Sequence, residues 1–232
     1  MARWPAPGRC KRRLAADLGL RRAAAVQARL TAHGVATARQ ACGAGIELLL
    51  AGTGLGPRAL ARWGAGFGVA RVVDQGQGSL GLRLRRQLVL ARREGISQLV
   101  LIGSDLPELE AADLQAAFAA LGSGAPLVLG PAVDGGYWLL GLHLALAAAD
   151  PPVTSSGGAS RWRAGGGLPS VGGAGAGVPA PRLFAGADQP IAWGSALVGE
   201  QTLRAAAREG LAVTMLAPRA DLDRSVDLLR WR

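Results

Sequence analysis

Asp105 follows a short apolar segment in Ile102–Pro107 (IGSDLP). An apolar run of strand length indicates a strand buried on both faces, and open α/β sheets bind ligands at the edge where such strands end. Divalent cations prefer oxygen ligands, and a nucleotide diphosphate supplies several of them. Asp105 is therefore a candidate metal ligand, although the spacing is equally compatible with a cap for the turn that Pro107 begins.

Cations follow a tight turn in Pro5–Lys11 (PAPGRCK). Backbone N–H groups and positive side chains brought together in this way can bind a diphosphate. Residues 1–46 carry nine basic side chains and one acid, which is +8 of the chain's net +10, and Lys11 is the only lysine. Arg9 and Lys11 are candidate phosphate ligands, and a solvated basic turn is the alternative.

A glycine-rich segment, Asp74–Gly81 (DQGQGSLG), lies between a predicted strand and a predicted helix. It contains the G-x-G-x-x-G pattern of dinucleotide-binding folds, and Asp105 near the end of the next strand could serve as the accompanying acid. That pattern normally opens the first β-α-β unit, whereas here another strand and a basic loop precede it. The sequence thus argues against NAD binding.

A second acid, Asp134, stands beside Gly135, Gly136 and Tyr137. Glycines let a substrate approach the backbone closely, so Asp134 could bind an acceptor or act as a general base. The Asp-Gly pair also predicts a hairpin turn, which is compatible with that role. Further along, Asp221–Asp227 (DLDRSVD) precedes a predicted helix, whose N-terminus Asp227 is expected to cap.

These residues fall between short apolar runs of strand length, namely Ile46–Ala51, Ala70–Val73, Gln98–Ile102 and Pro126–Leu129. Helical patterns alternate with them at Pro57–Trp63, Leu80–Glu94 and Ala111–Leu121. An apolar stretch at Tyr137–Leu146, a helix near Gly199–Arg208, a strand at Ala212–Leu216 and a last helix after Asp223 follow. The alternation predicts an α/β layer fold with a mostly parallel central sheet.

Composition limits the class of protein. Half of the 232 residues are hydrophobic, yet no apolar run approaches the ~20 residues of a membrane helix, and a signal-peptide pattern is missing. With two cysteines, a disulfide framework is not expected. We expect a cytoplasmic protein without a membrane span; nucleic acid is not an expected partner, because Trp4 is the only stacking aromatic residue among the basic residues 1–46.

Two segments depart from a regular domain. We expect one domain over residues 1–232, interrupted at 151–181, where Gly, Pro and Ser make up 18 of 31 residues. This composition predicts a disordered insertion, and a shifted reading frame in GC-rich DNA would give a similar one. Residues 1–4 leave no room for a strand ahead of the basic loop, so the first strand of the domain is expected to be missing.

Six motifs in order resemble a family of nucleotide-diphospho-sugar-transferase-like proteins. That family includes proteins assigned as glycosyltransferases of arsenosugar biosynthesis and is distantly related to phospholactate guanylyltransferase. The matching segments are PAPGRCKRRL (5–14), Gln75–Leu84, Ser104–Pro107, LGPAVDGGYWLLG (129–141), Trp193–Ser195 and Asp221–Leu228. The chain departs from the family pattern at Arg12, where threonine is usual, and at Arg224–Ser225, where Thr-Pro is usual.

The resemblance implies a GT-A type Rossmann-like fold that binds a nucleotide-sugar. It implies transfer of the sugar from a nucleoside diphosphate to a small-molecule acceptor with Mg²⁺ or Mn²⁺. The implied metal ligands are Asp105 and Asp223, and Asp134 is the implied catalytic residue. Implied nucleotide and phosphate ligands are Gly8, Arg9, Lys11, Gln75, Gly76, Gly78 and Arg83, and acceptor ligands are Gly135, Gly136, Tyr137 and Trp193. Nucleotidyl transfer with pyrophosphate release, a nucleic-acid binder and a truncated inactive copy are the alternatives.

Overall fold

The computed structural model describes residues 1–144 and 191–231 of the chain. The Gly/Pro/Ser-rich segment 151–181 lies outside these ranges. The strands are β1 (Ala2–Arg3), β2 (Leu49–Thr53), β3 (Arg71–Asp74), β4 (Gln98–Ile102), β5 (Leu127–Pro131), β6 (Tyr137–His143) and β7 (Val213–Met215). The helices are α1 (Arg12–Leu18), α2 (Leu20–Ala41), α3 (Pro57–Gly66), α4 (Leu80–Arg93), α5 (Ala111–Gly122) and α6 (Val198–Arg208). The α/β fold expected from the sequence is confirmed.

The strands form two sheets. In the first, β1, β2 and β3 are parallel neighbours in that order. In the second, the order is β4-β6-β5-β7; β6 is antiparallel to β4 and β5, and β7 is parallel to β5. The Met1 nitrogen donates a hydrogen bond of 2.6 Å to Ile102 O, which brings the start of β1 beside β4. The second sheet is therefore mixed rather than parallel throughout.

The expectation that the first strand is missing is corrected by β1. Ala2 and Arg3 pair in parallel with Gly52 and Thr53. Two residues suffice because side-chain bonds support them: Gln75 Nε2 donates to Ala2 O at 3.0 Å and to Ala51 O at 2.8 Å. A short strand thus runs directly into the basic loop.

Helices α1 and α2 were not predicted from the sequence. Gly19, with φ of 81°, separates them. The buried side of α2 consists mainly of small residues such as Ala23, Ala38 and Ala41, which give a weak hydrophobic pattern. Ala38 and Ala41 pack in the same cluster as residues of α5, so α2 and α5 cover one face of the second sheet.

The opposite face is covered by α4. Leu84 and Leu88 of this helix pack with Leu127 of β5 and Leu140 of β6. Burial on both faces explains why the strands of this sheet are almost continuously apolar. Within residues 1–144 and 191–231, none of the helices combines the length and apolar character that a transmembrane span requires.

The last predicted helix is a 3-10 helix at Ser225–Arg230 instead of an α-helix. Asp227 Oδ2 accepts hydrogen bonds from the backbone nitrogens of Asp223 at 3.0 Å and Arg224 at 2.8 Å. The predicted capping role of Asp227 is confirmed. These bonds hold the preceding segment, which carries Asp221 and Asp223, in a fixed turn.

Candidate functional site

An acid–lysine cluster lies where β4 ends. Lys11 Nζ is 2.9 Å from Asp105 Oδ1 and 3.1 Å from Asp223 Oδ1, and it donates to Leu222 O at 2.5 Å. The Leu222 nitrogen donates to Asp105 O at 2.9 Å, which ties the two acidic segments together. The structure therefore brings together three residues that the sequence singled out separately: Lys11, Asp105 and Asp223.

The charges in this cluster are unequally exposed. The Lys11 side chain is 2% exposed, whereas those of Asp105 and Asp223 are 48% and 41% exposed. Burial disfavours the Lys11 ammonium, but Asp105 and then Asp223 outweigh it and raise the pKa of Lys11. Lys11 also has φ of 45°, in the left-handed region that side chains rarely adopt. Its backbone strain is thus compensated by a buried, fully bonded ammonium.

Asp221 belongs to the same acidic group, although the sequence analysis assigned it no role. The pKa of its carboxyl is raised from 3.8 to about 7, first by burial and then by the charges of Asp105 and Asp134, against a lowering effect of Lys11. The spacing Asp-x-Asp at 221–223 was the available sequence signal. Three acidic segments of the chain therefore contribute negative charge to one region.

A basic cavity of about 350 Å³ adjoins the cluster. Its lining includes Arg3, Arg9, Lys11, Arg12 and Arg13 together with Ser104, Asp105 and Asp223. Arg13 Nη1 reaches Asp223 Oδ2 at 3.3 Å, and Gln27 Nε2 donates to Ser104 Oγ at 3.0 Å. The predicted phosphate ligands Arg9 and Lys11 thus lie in one basic cavity with Asp105. Arg3, Arg12 and Arg13 are further cations there that the sequence analysis did not select.

A second cavity of about 280 Å³ shares Arg3, Ser104 and Asp105 with the first. It is also lined by Gln75, Leu80, Arg83, Tyr137, Trp138 and Asp221. The two cavities therefore form neighbouring compartments on either side of Asp105. One compartment is strongly basic, and the other has aromatic and apolar walls.

The glycine-rich loop contributes Gln75 and Leu80 to the lining of the second cavity, whereas its predicted ligands Gly76 and Gly78 are not in that lining. Gly76 and Gly78 have φ of 73° and 105°, and Arg83 Nε donates to Gly78 O at 3.1 Å. Gln75 is buried, because its amide nitrogen is bonded to the carbonyls of β1 and β2. In the described structure, Gln75 ties strands together, and Arg83 both holds the loop and contributes to the cavity wall.

The Asp134 segment forms the predicted hairpin turn between β5 and β6. Asp134 is exposed, and its Oδ1 accepts from Gly136 N at 3.0 Å. Gly135 has φ of 90°, and a Cβ there would lie 2.0 Å from Ala196 O. The Gly135 carbonyl accepts from Gly199 N at 2.9 Å. Both glycines are therefore accounted for by the turn and by its close packing against residues 196–199.

Tyr137 and Trp193 both pack against other parts of the fold. The Tyr137 hydroxyl is buried, and burial raises the pKa of this phenol against a weaker opposing effect of Thr202. Trp193 packs on α4, where a Cβ at Gly81 would lie 2.6 Å from the indole ring. Of the predicted acceptor ligands, only Tyr137 is in the lining of the cavity beside Asp105.

The cluster offers two carboxylates as ligands for a divalent ion. Across residues 1–144 and 191–231, no three His, Cys, Asp or Glu side chains are arranged to hold a metal. Two carboxylates nevertheless converge on one cation, the Lys11 ammonium. Mg²⁺ commonly takes one or two carboxylates and completes its shell with water and substrate phosphates. The residues fit such an ion, which would compete with the Lys11 ammonium for the same carboxylates.

Fold and site together define an α/β protein with a basic cavity beside a pair of convergent acids. Residues 35–151, half of the 232-residue chain, match the family described as "Uncharacterized protein conserved in bacteria (DUF2064)", and the chain belongs to this family. No curated protein matches the chain.

The fold is similar to a crystal structure from Desulfovibrio desulfuricans G20 that is described as a "putative nucleotide-diphospho-sugar transferase". The TM-score is 0.72, the sequence identity is 22%, and the match covers 96% of this chain and 80% of the other. At this identity the similarity establishes a common fold.

Proposed function

We propose that this protein is a metal-dependent glycosyltransferase that moves a sugar from a nucleoside diphosphate to a small-molecule acceptor. The main observation in support of this proposal is that Asp105 and Asp223 converge on one cation at the wall of a basic cavity. The fold shared with the Desulfovibrio protein supports the proposal. So does the order of the six sequence motifs.

The basic cavity suits the diphosphate of the donor. Arginine side chains bind phosphate oxygens with paired, charge-assisted hydrogen bonds, and the cavity offers Arg3, Arg9, Arg12 and Arg13. In the described structure, no ion pair occupies Arg3, Arg9 or Arg12, whereas Arg13 bonds to Asp223. The first three are thus available for an anion.

The neighbouring cavity suits the rest of the donor and the acceptor. Leu80 and Arg83 line it, and Tyr137 and Trp138 form an aromatic wall. Asp105 lines both cavities, so a donor spanning them would place its sugar–phosphate bond near the acids. Asp134 is the proposed proton acceptor for the acceptor hydroxyl. Its charge acts on Asp221, so it belongs to the same acidic region.

Asp105 and Asp223 would hold a Mg²⁺ or Mn²⁺ ion, which supplies Lewis-acid stabilisation of negative charge on the leaving diphosphate. The Lys11 ammonium now bonded to both acids can then pair with phosphate oxygens instead. This exchange keeps Lys11 paired in both states. The arginines of the cavity orient the leaving group and stabilise its charge electrostatically.

Nucleotidyl transfer is the second candidate. Five cations and the two acids Asp105 and Asp223 line the basic cavity, a net charge of 5 − 2 = +3. A nucleoside triphosphate, which carries more negative charge than a diphosphate ester, would match this charge better. The same acids and cations could then activate the α-phosphate. The two reactions differ in the product released, a nucleoside diphosphate in one and pyrophosphate in the other.

The test is a melting-temperature screen of nucleotide-sugars and nucleoside triphosphates, each with and without Mg²⁺ or Mn²⁺. A ligand that binds only the folded state raises the melting temperature by mass action. We expect a nucleotide-sugar to give a metal-dependent shift that Asp105→Asn abolishes. Glu200→Gln, which neutralises an exposed acid in a helix-surface ion pair, should retain it. A shift that Asp105→Asn leaves unchanged would contradict the metal assignment.

Turnover separates the two candidates. Release of a nucleoside diphosphate from the nucleotide-sugar that binds would support glycosyl transfer. Release of pyrophosphate from a nucleoside triphosphate, without any reaction of nucleotide-sugars, would replace it with nucleotidyl transfer.

A further inference from the structure

Gln27 is a polar side chain buried in the wall of the basic cavity. It lies on α2, is 4% exposed, and belongs to the lining of that cavity. Its amide nitrogen donates to Ser104 O at 3.3 Å and to Ser104 Oγ at 3.0 Å. A buried amide is unfavourable unless it is hydrogen-bonded. The Gln27 amide nitrogen therefore meets this requirement through a single residue, the neighbour of Asp105.

The bond to the Ser104 carbonyl fixes the orientation of the Gln27 amide. The oxygen and nitrogen ends of an amide are similar in size and are told apart by their hydrogen bonds. A carbonyl oxygen can only accept, so the Gln27 group that faces Ser104 O is the NH₂ group. A reversed amide would bring two carbonyl oxygens together. The same NH₂ group, with two hydrogens, also faces the Ser104 hydroxyl.

This orientation determines where the Ser104 hydroxyl can donate. A hydroxyl has one hydrogen to donate and lone pairs that accept, whereas an amide NH₂ group only donates. Ser104 Oγ therefore accepts from Gln27, and the hydroxyl hydrogen points elsewhere. Across residues 1–144 and 191–231, no hydrogen bond donated by the Ser104 hydroxyl is present. The hydroxyl is thus a donor that a ligand can use.

Ser104 lies where the two cavities meet. It is half-buried, and it lines both the basic cavity and the cavity with aromatic walls. Arg3 and Asp105 are the other residues that the two linings share. A ligand that occupies both cavities must pass these three residues. The Ser104 hydroxyl is the neutral hydrogen-bond donor at this junction.

The charges around Ser104 favour an anionic acceptor for its hydrogen. The basic cavity has more cations than acids in its lining. Asp105, the nearest acid in the sequence, already has Oδ1 bonded to Lys11. Phosphate oxygens accept strong, charge-assisted hydrogen bonds, and several donors can share one phosphate group. A phosphate oxygen therefore suits the position better than a neutral acceptor.

We propose that the Ser104 hydroxyl is a phosphate ligand and that Gln27 is the positioning residue that orients it. The inference rests on the proposed function, because it takes a diphosphate in the basic cavity as its starting point. The hydroxyl donates to a non-bridging phosphate oxygen beside Asp105, while the arginines supply charge. Because Gln27 already holds the hydroxyl, little rotational freedom is lost on binding. Neither residue was predicted from the sequence to bind a ligand.

A purely structural role for Gln27 would end at the Ser104 carbonyl. That bond satisfies a backbone acceptor just after β4, much as Gln75 satisfies the carbonyls of Ala2 and Ala51. It leaves the second bond, to Ser104 Oγ, without a purpose. Both roles predict a loss of stability when Gln27 is replaced. They differ in whether ligand affinity depends on Gln27 through the Ser104 hydroxyl.

Titration calorimetry with inorganic pyrophosphate, with and without Mg²⁺, tests the proposal. Pyrophosphate has the phosphate oxygens of both candidate substrates but no base or sugar. The variants are Ser104→Ala, Gln27→Met and the double variant, each measured where circular dichroism shows it to be folded. Ser123→Ala is the matched control, because Ser123 is an exposed C-cap of α5 outside the cavity lining. If Gln27→Met does not fold, Gln27→Asn, one methylene shorter, replaces it.

We expect Ser104→Ala to weaken pyrophosphate binding about tenfold or more, the effect of a hydrogen bond to a charged group. Ser123→Ala should leave the affinity unchanged. Gln27→Met should weaken binding about threefold, because the hydroxyl becomes free to rotate. In the Ser104→Ala background, Gln27→Met should have no further effect, since the group that it orients is gone.

Equal affinity of Ser104→Ala and the parent would overturn this proposal alone and leave the proposed function standing. Equal losses from Gln27→Met in both backgrounds would overturn the orienting role of Gln27. If the parent fails to bind pyrophosphate under either condition, this proposal falls together with the assignment of the basic cavity to a diphosphate. A loss of pyrophosphate affinity in Ser104→Ala, without any shift by nucleotide-sugars, would support the phosphate ligand and overturn the proposed function.

Discussion

Lys11 Nζ lies 2.9 Å from Asp105 Oδ1, so the only lysine of the chain occupies the point on which the two proposed metal ligands converge. An ammonium can stand in for a divalent cation between two carboxylates, because it neutralises them and donates three hydrogen bonds. The protein thereby holds both acids in place before any ligand binds. A bound ion and Lys11 would then be alternatives.

The variant Lys11→Met removes the ammonium and keeps most of the side-chain volume. Without metal, Asp105 and Asp223 repel each other, and we expect a loss of about 1–2 kcal/mol in the free energy of unfolding; this is less than for a fully buried pair because both acids are half exposed. Mn²⁺ should raise the melting temperature of Lys11→Met more than that of the parent. The matched control is Arg12→Met, which removes an exposed cation from the same cavity. Equal Mn²⁺ shifts in all three proteins would contradict the competition between Lys11 and the ion.

Gly135 and Gly124 form a matched pair for the hairpin turn. Their φ angles are 90° and 94°, but an added Cβ lies 2.0 Å from Ala196 O at Gly135 and meets nothing within 4 Å at Gly124. We expect Gly124→Ala to cost about 1–2 kcal/mol through backbone strain. Gly135→Ala should cost at least about 2 kcal/mol more, because backbone must move as well. Urea denaturation measures the free energy of unfolding of both variants. Similar losses would show that residues 196–199 move easily to make room for the added Cβ.

The sequence predicted best where apolar character is concentrated. The strand Gln98–Ile102 was predicted with its observed bounds, because a short run of large apolar residues is compatible with few structures other than a buried strand. The same reasoning missed α2, whose buried side is built from alanines, and it also missed β1. Two residues carry no pattern of their own, and β1 depends on Gln75 and Ile102, which are distant in the sequence.

For the candidate site, the sequence identified Lys11, Asp105 and Asp223 as separate residues. Local motifs could not show that Lys11 pairs with both acids, since both contacts join segments that are distant in the sequence, by 212 residues in the case of Asp223. Nor could they show that Gln75 is buried among backbone carbonyls or that the Gly135 turn packs against residue 196. Motif residues next to a cavity divide into those that face it and those that hold its walls, and only the fold separates them.

Gln75→Glu distinguishes a structural from a ligand-binding role for this residue. The substitution replaces the amide that donates to Ala2 O and Ala51 O by an acceptor, so two buried carbonyls lose their bonds. We expect the free energy of unfolding to fall by about 2–3 kcal/mol. Gln77→Glu, at an exposed position of the same loop, should change it by less than about 0.5 kcal/mol. Unchanged stability of Gln75→Glu together with lost nucleotide binding would assign Gln75 to the ligand.

The buried amino group of Met1 predicts a pH-dependent stability. Its pKa is about 6 in the folded protein and 8.0 when unperturbed. Between these values the unfolded chain binds more protons, so stability should rise as the pH increases from 6 to 8. The two-unit difference corresponds to about 2–3 kcal/mol. The stabilisation is fully present above pH 8 and is lost as the pH falls through 6.

Asp221 titrates in an adjoining range with the opposite sign, because the pKa of its carboxyl is raised to about 7. The measurement is therefore a difference between the parent protein and a variant with Gly-Ser-Gly-Ser placed before Met1. This extension converts the Met1 amine to an amide and keeps Asp221 and Asp105. Urea denaturation from pH 5.5 to 8.5 should show the parent gaining stability relative to the extended protein as the pH rises. Parallel curves would mean that the Met1 amino group is hydrated in the folded protein, and the contact with Ile102 would then be wrong.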